Sequence, residues 1–227
     1  MHGFTGAPAV GSGRGSGASP SEPLVVAEIA PQRPVAAESL LGAARTHAAQ
    51  VVKQADVLML HYVVPEEVAA GSLEPNLDFY EPRTAHGSTL SPGVHATLLA
   101  RAGRLDQALE LLRLTARIDL DDIGQTTAGG LHLAAMGSLW RALAVGFGGL
   151  RPAEGSLVID PIAVPGIEAL ELRVRFRDSR VRLRVAPDGA EVSAAPPITV
   201  LAPGLGSVEV GSTARSFDLS PRSGRTT

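Results

Sequence analysis

The hydrophobic period of this chain changes once, near residues 149–155, and that switch restricts the fold to a helical unit followed by a strand unit. Upstream, apolar residues recur at helical spacing, as in Leu105, Leu109, Leu112 and Ala116, and again in Leu131, Ala135, Leu139 and Leu143. Downstream of Arg151, Leu170, Leu172, Val174 and Phe176 alternate with Glu171, Arg173, Arg175 and Arg177. Asp178-Ser179 turns the chain, and Val181, Leu183 and Val185 resume the alternation with Arg182 and Arg184. A period of two with one apolar and one basic face describes a β-hairpin with one side buried.

Four segments follow. Residues 1–37 are rich in Gly, Ser, Pro and Ala, lack a sustained period, and are expected to be disordered apart from a short extended piece at Leu24 to Ile29. Residues 38–150 are expected to be helical. One helix runs from Glu38 to Val64 with Val51, Ala55, Leu58, Met59 and Tyr62 on one face, and Pro65 ends it. A long irregular connection spans 65–91, then a helical hairpin covers Pro92 to Ala102 and Leu105 to Ile118, with Gly103 as the stop between them. A last helix covers Leu131 to Val145. Residues 151–211 form a small β domain that includes strands near 198–201 and 208–210, and residues 212–227 are expected to fray.

Composition narrows the functional classes. Hydrophobic residues make up 44% of the chain but aromatics only 4%, so the core is built from Leu, Val and Ala. The net charge of −3 gives no electrostatic case for nucleic acid or an anionic membrane. Cysteine is absent, which removes disulfides and thiolate metal sites. The apolar run Val57 to Val64 is too short to span a bilayer, and Leu131 to Leu150 is interrupted by His132, Arg141 and glycines. No charged leader followed by an apolar core is visible at the start, which predicts a cytoplasmic protein. The arginines at 173, 175, 177, 180, 182 and 184 alternate along strands beside Glu171 and Asp178 and read as a solvated sheet face. No Gly-rich nucleotide loop or metal-ligand spacing stands out, so neither a cofactor nor a metal is expected.

The chemistry concentrates between Lys53 and Ser91. Lys53 and Gln54 stand among apolar residues, where a lysine ordinarily snorkels to water and an amide hydrogen-bonds a neighbour. Thr84-Ala85-His86-Gly87-Ser88-Thr89-Leu90-Ser91 is a run of small and hydroxyl residues around a histidine, and Ser91-Pro92 has the form of a capped helix start. A helix N-terminus with free N–H groups, preceded by hydroxyls and an imidazole, suits an anion such as phosphate.

Lys53-Gln54-Ala55-Asp56-Val57, Tyr80-Glu81-Pro82-Arg83-Thr84 and His86-Gly87-Ser88-Thr89-Leu90-Ser91 together resemble the C-terminal half of glycoside hydrolase family 65. The resemblance continues through Thr115-Ala116-Arg117-Ile118-Asp119-Leu120, Gly129-Gly130-Leu131-His132-Leu133-Ala134 and Gly146-Phe147-Gly148-Gly149-Leu150, and covers roughly Leu40 to Gly204. It implies a multidomain α + β fold, one sector of an (α/α)6 barrel followed by a small antiparallel β-sandwich. It implies inverting phosphorolysis of an α-linked glucose disaccharide, such as maltose, trehalose or kojibiose, with inorganic phosphate as co-substrate and β-glucose 1-phosphate as product. By the same resemblance Lys53 and Gln54 hold the glucosyl unit, and His86, Ser88, Ser91 and His132 lie at the phosphate end.

The family's general acid belongs upstream of the Lys-Gln pair, and nothing in residues 1–52 matches it. Glu22, Glu28 and Glu38 have the wrong surroundings, Pro65-Glu66-Glu67 falls on the wrong side, and Glu81 reads as an ion-pair partner of Arg83. The expectation is therefore a C-terminal portion inactive alone, with an upstream half or subunit, or a second copy, as partner. Hydrolysis as in acid trehalases is the alternative chemistry, and a non-catalytic carbohydrate- or partner-binding module the alternative class.

Overall fold

In a computed structural model, residues 23–219 are described. Three short helices lead in: α1 (Val26–Ile29), α2 (Ala37–Leu41) and α3 (Ala43–Ala48). Then come α4 (Asp56–Val63), α5 (Leu73–Tyr80), α6 (Ser91–Arg101), α7 (Leu105–Arg117) and α8 (Leu133–Arg141), the last continuing as a π-helical turn over Ala142–Phe147. Helix α6 is the centre of this unit: every residue from Ser91 to Ala100 is buried. It packs against α4, α7, α8 and the π turn. Small residues permit the approach. A Cβ on Gly93 would fall 2.2 Å from Ser138 Oγ, and one on Gly146 would fall 3.1 Å from Thr97 Cα.

Four expectations are corrected here. The segment expected to be extended at Leu24 to Ile29 contains α1, and Leu24, Val26 and Ala30 bury against Ala85, because apolar side chains spaced i, i+2 and i+6 meet a ready groove. The expected disorder of residues 1–22 and 220–227 lies outside the described residues. The single helix from Glu38 to Val64 is broken: residues 49–55 are not helical, since Val52 pairs alongside Thr84 as an isolated parallel bridge. The connection 65–91 contains α5, whose Pro75 sits in the first turn where no N–H is needed. In α8 the buried residues are Ala135 and Ser138, while Leu131 and Leu133 are 57% and 75% exposed.

The strand unit holds β1 (Leu150–Ala153), β2 (Ser156–Ile159), β3 (Leu170–Phe176), β4 (Ser179–Ala186), β5 (Gly189–Ala195), β6 (Ile198–Ala202), β7 (Gly206–Val210) and β8 (Arg215–Phe217). Two four-stranded sheets, ordered β1-β2-β6-β7 and β3-β4-β5-β8, share one core of Leu157, Ile159, Val181, Leu183, Val192, Val200 and Val210. All pairings are antiparallel except β2 with β6, which run parallel. Strand β8 extends order into the segment expected to fray. The arginine face is solvated as expected, with Arg182 bonded to Glu171. The two units are joined at Gly149, whose φ of +63° brings its backbone against Asp160; a Cβ there would fall 1.9 Å from the Asp160 carbonyl oxygen. Arg101 of α6 binds both the carbonyl and the carboxylate of Asp160, and Ile162 donates to the Phe147 carbonyl at 2.7 Å.

Candidate functional site

The bridge between residue 52 and residue 84 builds the site. Val52 N–H donates to the Arg83 carbonyl at 3.0 Å, and Ala85 N–H donates to the Val52 carbonyl at 2.8 Å. Two backbone bonds thus lay the strand carrying Lys53-Gln54 beside the loop carrying His86-Gly87-Ser88. The closeness extends to side chains, since a Cβ on Gly87 would lie 3.8 Å from Lys53 Cγ and 3.3 Å from the Val35 carbonyl oxygen. Lys53 and Gln54 are exposed, and they leave the helix that their apolar neighbours suggested. Four of the six candidate residues thereby come together with Ser91 behind them. His132 is held elsewhere: its ring bonds Asp119 and Thr126, and its N–H donates to Asp119 Oδ2 at 2.9 Å. The His132 ring and backbone bonds hold the Asp119 carboxyl below its ordinary value.

His86 is 2% exposed and adopts φ +53°, a left-handed conformation that histidine takes more readily than most residues. That turn folds its ring inward. His86 Nδ1 lies 3.0 Å from Ser91 Oγ, and Ser91 Oγ donates to the Ser88 carbonyl at 3.0 Å. Ser91 therefore does not cap the helix by the expected pattern; it is the first residue of α6, and its hydroxyl ties the loop to His86. Behind His86 stands His95, fully buried, ring centroids 4.7 Å apart and edge to face at 75°. Burial, with His95 and Arg33 adding repulsion, pushes the His86 imidazole down to about 2. Burial and Arg33 push His95 to about 3. Both rings are neutral at any physiological pH.

Glu81 pairs with Arg33 at 2.8 Å, not with Arg83. Arg33 also donates to the carbonyls of Glu81 and Thr84, at 2.9 and 3.1 Å, so a residue of the leader clamps the loop from outside. Arg83 turns instead to the Phe79 carbonyl at 2.9 Å and stacks over the Phe79 ring at 4.1 Å. Sequence reading missed Arg33 and His95. The first lies in a segment without periodicity, and the second sits in a buried helix face where a lone histidine carries no spacing signal. A cavity of about 300 Å³ opens between Pro34, Val35, Ala36, His86, Gly87 and Thr89 on one side and Leu114, Ile118 and Ile123 on the other. Among the described residues, Glu81, His86 and His95 bring ligand atoms within 4.8 Å of one another.

The fold is shared with a solved structure of a proposed kojibiose phosphorylase from the human microbiome, with a TM-score of 0.75 and 24% identity over 82% of this chain and 28% of that one. Models of the glycosyl hydrolase family 65 central catalytic domain and C-terminal domain match residues 33–141 and 150–205, and the chain belongs to that family. Among curated relatives, a kojibiose phosphorylase from Halothermothrix orenii is 35% identical over 144 residues, 63% of this chain and 18% of that protein. An α,α-trehalose phosphorylase from Thermoanaerobacter brockii is 34% identical over 139 residues, 61% of this chain and 18% of that protein. An uncharacterized glycosyl hydrolase from Mycobacterium tuberculosis is 41% identical over 142 residues, 60% of this chain and 17% of that protein. The chain thus spans less than a fifth of the length of these relatives.

Proposed function

We propose that this chain supplies the sugar- and phosphate-holding wall of an inverting disaccharide phosphorylase, cleaving an α-linked glucoside with phosphate to give β-glucose 1-phosphate. The observation that carries the reading is the bridge of Val52 to Thr84, which sets exposed Lys53 and Gln54 beside the His86–Ser88 loop. A sugar hydroxyl pair needs an ammonium and an amide open to solvent, and an attacking phosphate needs hydroxyls and helix-end N–H groups next to them. Ser88 offers the hydroxyl, with His86 inward of it, while the Ser91 and Val94 N–H groups at the start of α6 are bonded to the Ser88 and Leu90 carbonyls; His132 belongs to the reading only by the family match. The helices then form one sector of an (α/α)6 barrel.

Inversion also requires a carboxylic acid to protonate the leaving oxygen. The carboxylate that borders the loop, Glu81, is committed to Arg33, so the proton comes from a part of the enzyme outside these residues. General acid help is worth about 10²- to 10⁴-fold. The chain alone is therefore expected to give no turnover of maltose, trehalose or kojibiose, with or without phosphate. Combined with the upstream portion of a family relative that carries the acid, it should give phosphate-dependent turnover, lowered about 100-fold by Lys53→Ala through loss of substrate positioning. Turnover that ignores phosphate would instead establish hydrolysis, and turnover by the chain alone, lost in Lys53→Ala, would reveal a proton donor within it. No turnover in any combination would favour a non-catalytic module.

A further inference from the structure

Of the four edge strands in the two sheets, β3 is the longest, at seven residues against four, five and three for β1, β7 and β8. It pairs with β4, and among the described residues no other backbone group bonds to it. An open edge of that length is a template for a further strand. Its two faces differ. Leu172, Val174 and Phe176 turn toward the strand core, Val174 and Phe176 only half-buried, while Glu171, Arg173 and Arg175 are exposed on the other side.

The register concentrates charge there. Arg173 stands opposite Arg182 and Arg175 opposite Arg180, so like charges face each other twice across neighbouring strands. Arg177 follows at the turn, its guanidinium 5.5 Å from the centre of the Phe176 ring. Glu171 bonds Arg182 at 3.0 Å and approaches Arg173 at 4.0 Å; among the described residues Arg175, Arg177 and Arg180 pair with no carboxylate. Charge on an edge strand prevents unwanted pairing, but that purpose needs charge on β3 alone. Strand β4 lies inside the sheet, and opposed like charges destabilise it, so Arg180 and Arg182 call for another reason.

A second copy of β3 does not supply that reason, since it would set arginines against arginines. A long polyanion fits poorly too. Residues 171–184 hold six arginines against two carboxylates in a chain of net charge −3, so the remainder is negative and repels it. A short extended peptide with a carboxylate at every second position meets neither obstacle. Laid about 4.8 Å from β3, it places its carboxylates beside Arg173 and Arg175 and its apolar residues against Val174 and Phe176.

We propose that β3 is a docking edge for an extended segment of a partner protein in which Asp or Glu alternates with apolar residues. The segment joins as a fifth strand: its backbone bonds the open edge, and its carboxylates neutralise the arginine face. The proposal uses none of the residues of the phosphorylase reading and stands independently of it.

Fluorescence anisotropy of the full chain with a labelled peptide alternating glutamate with valine, as long as β3, tests it. Saturable binding is expected. It should weaken about tenfold when the same glutamates are grouped at one end, and likewise when the peptide backbone is N-methylated, which leaves every charge in place. With Arg173→Glu and Arg175→Glu together, the peptide should be lost and a lysine–valine peptide gained, a reversal that a misfolded chain cannot give. No binding, equal binding of the grouped or N-methylated peptide, or loss without reversal overturns the inference. Tighter binding of a single-stranded oligonucleotide or of phosphatidylserine vesicles overturns it as well, and assigns the face to a polyanion or a membrane surface.

Discussion

Arg33 anchors a loop that its own sequence neighbourhood gives no reason to notice. Its guanidinium bridges Glu81 and two backbone carbonyls, with side chains only 15% and 10% exposed across the pair. Arg33→Ala leaves the Glu81 carboxylate poorly solvated, and a loss of about 3 kcal/mol is expected in urea unfolding. Adding Glu81→Gln should return part of that loss, because no uncompensated charge remains. The imidazoles make a second prediction at this scale. Folded His86 and His95 hold protons only below about 2 and about 3, whereas the unfolded chain takes them up near 6.5. Between those values the unfolded state binds one more proton per ring, so stability is full above about 6.5 and falls as pH drops. The slope is about 1.4 kcal/mol per pH unit for each ring. Unfolding curves at pH 7 and pH 5 check this; equal stability would mean that the rings are not buried together.

Helix α6 is buried on all sides because its contacts are made by Gly93, Thr97 and Ala100 as well as by Val94 and Leu99. Small residues let α8 come within reach of the Gly93 backbone. Gly93→Ala would drive a methyl into Ser138, and a loss of about 2–3 kcal/mol in the unfolding free energy is expected. Ser138→Gly in the same chain removes the colliding Cβ and Oγ and should recover part of it. A neutral Gly93→Ala would show that α8 shifts freely. The short non-helical stretch 49–55 matters equally, since Val52 pairs with the loop at Thr84, as the Val35 N–H does with the Ala85 carbonyl at 2.9 Å.

Over the whole molecule, the apolar surface is uneven. On α8, Leu133, Met136 and Trp140 fall at i, i+3 and i+7, and each is more than 40% exposed; Leu120 and Leu131 lie in the segments before it at 81% and 57%. Val63 on α4 is 54% exposed. Faces of this kind are interfaces or aggregation sites. The chain alone is expected to self-associate in sedimentation velocity runs, and Leu133→Glu with Trp140→Lys should shift it toward monomer. A monodisperse monomer without those changes would contradict the expectation. Among the described residues no helix is long and apolar enough to cross a membrane.

The sequence by itself determined the two-unit plan, the hairpin of α6 and α7, the β3–β4 hairpin and the candidate residues Lys53, Gln54, His86 and Ser88. Those follow from period, glycine stops and local motifs, which act over a few residues. Tertiary structure decided that Lys53 leaves its helix, because two backbone bonds to the 83–85 loop outweigh the local apolar pattern. It also decided that Glu81 turns to Arg33, and that His86 meets His95. Such pairings join residues far apart in the chain or hidden on a buried helix face, and no local spacing encodes them. The parallel pairing of β2 with β6 and the closure of β8 on β5 belong to the same kind, since strand order is set by how two apolar faces cover one core.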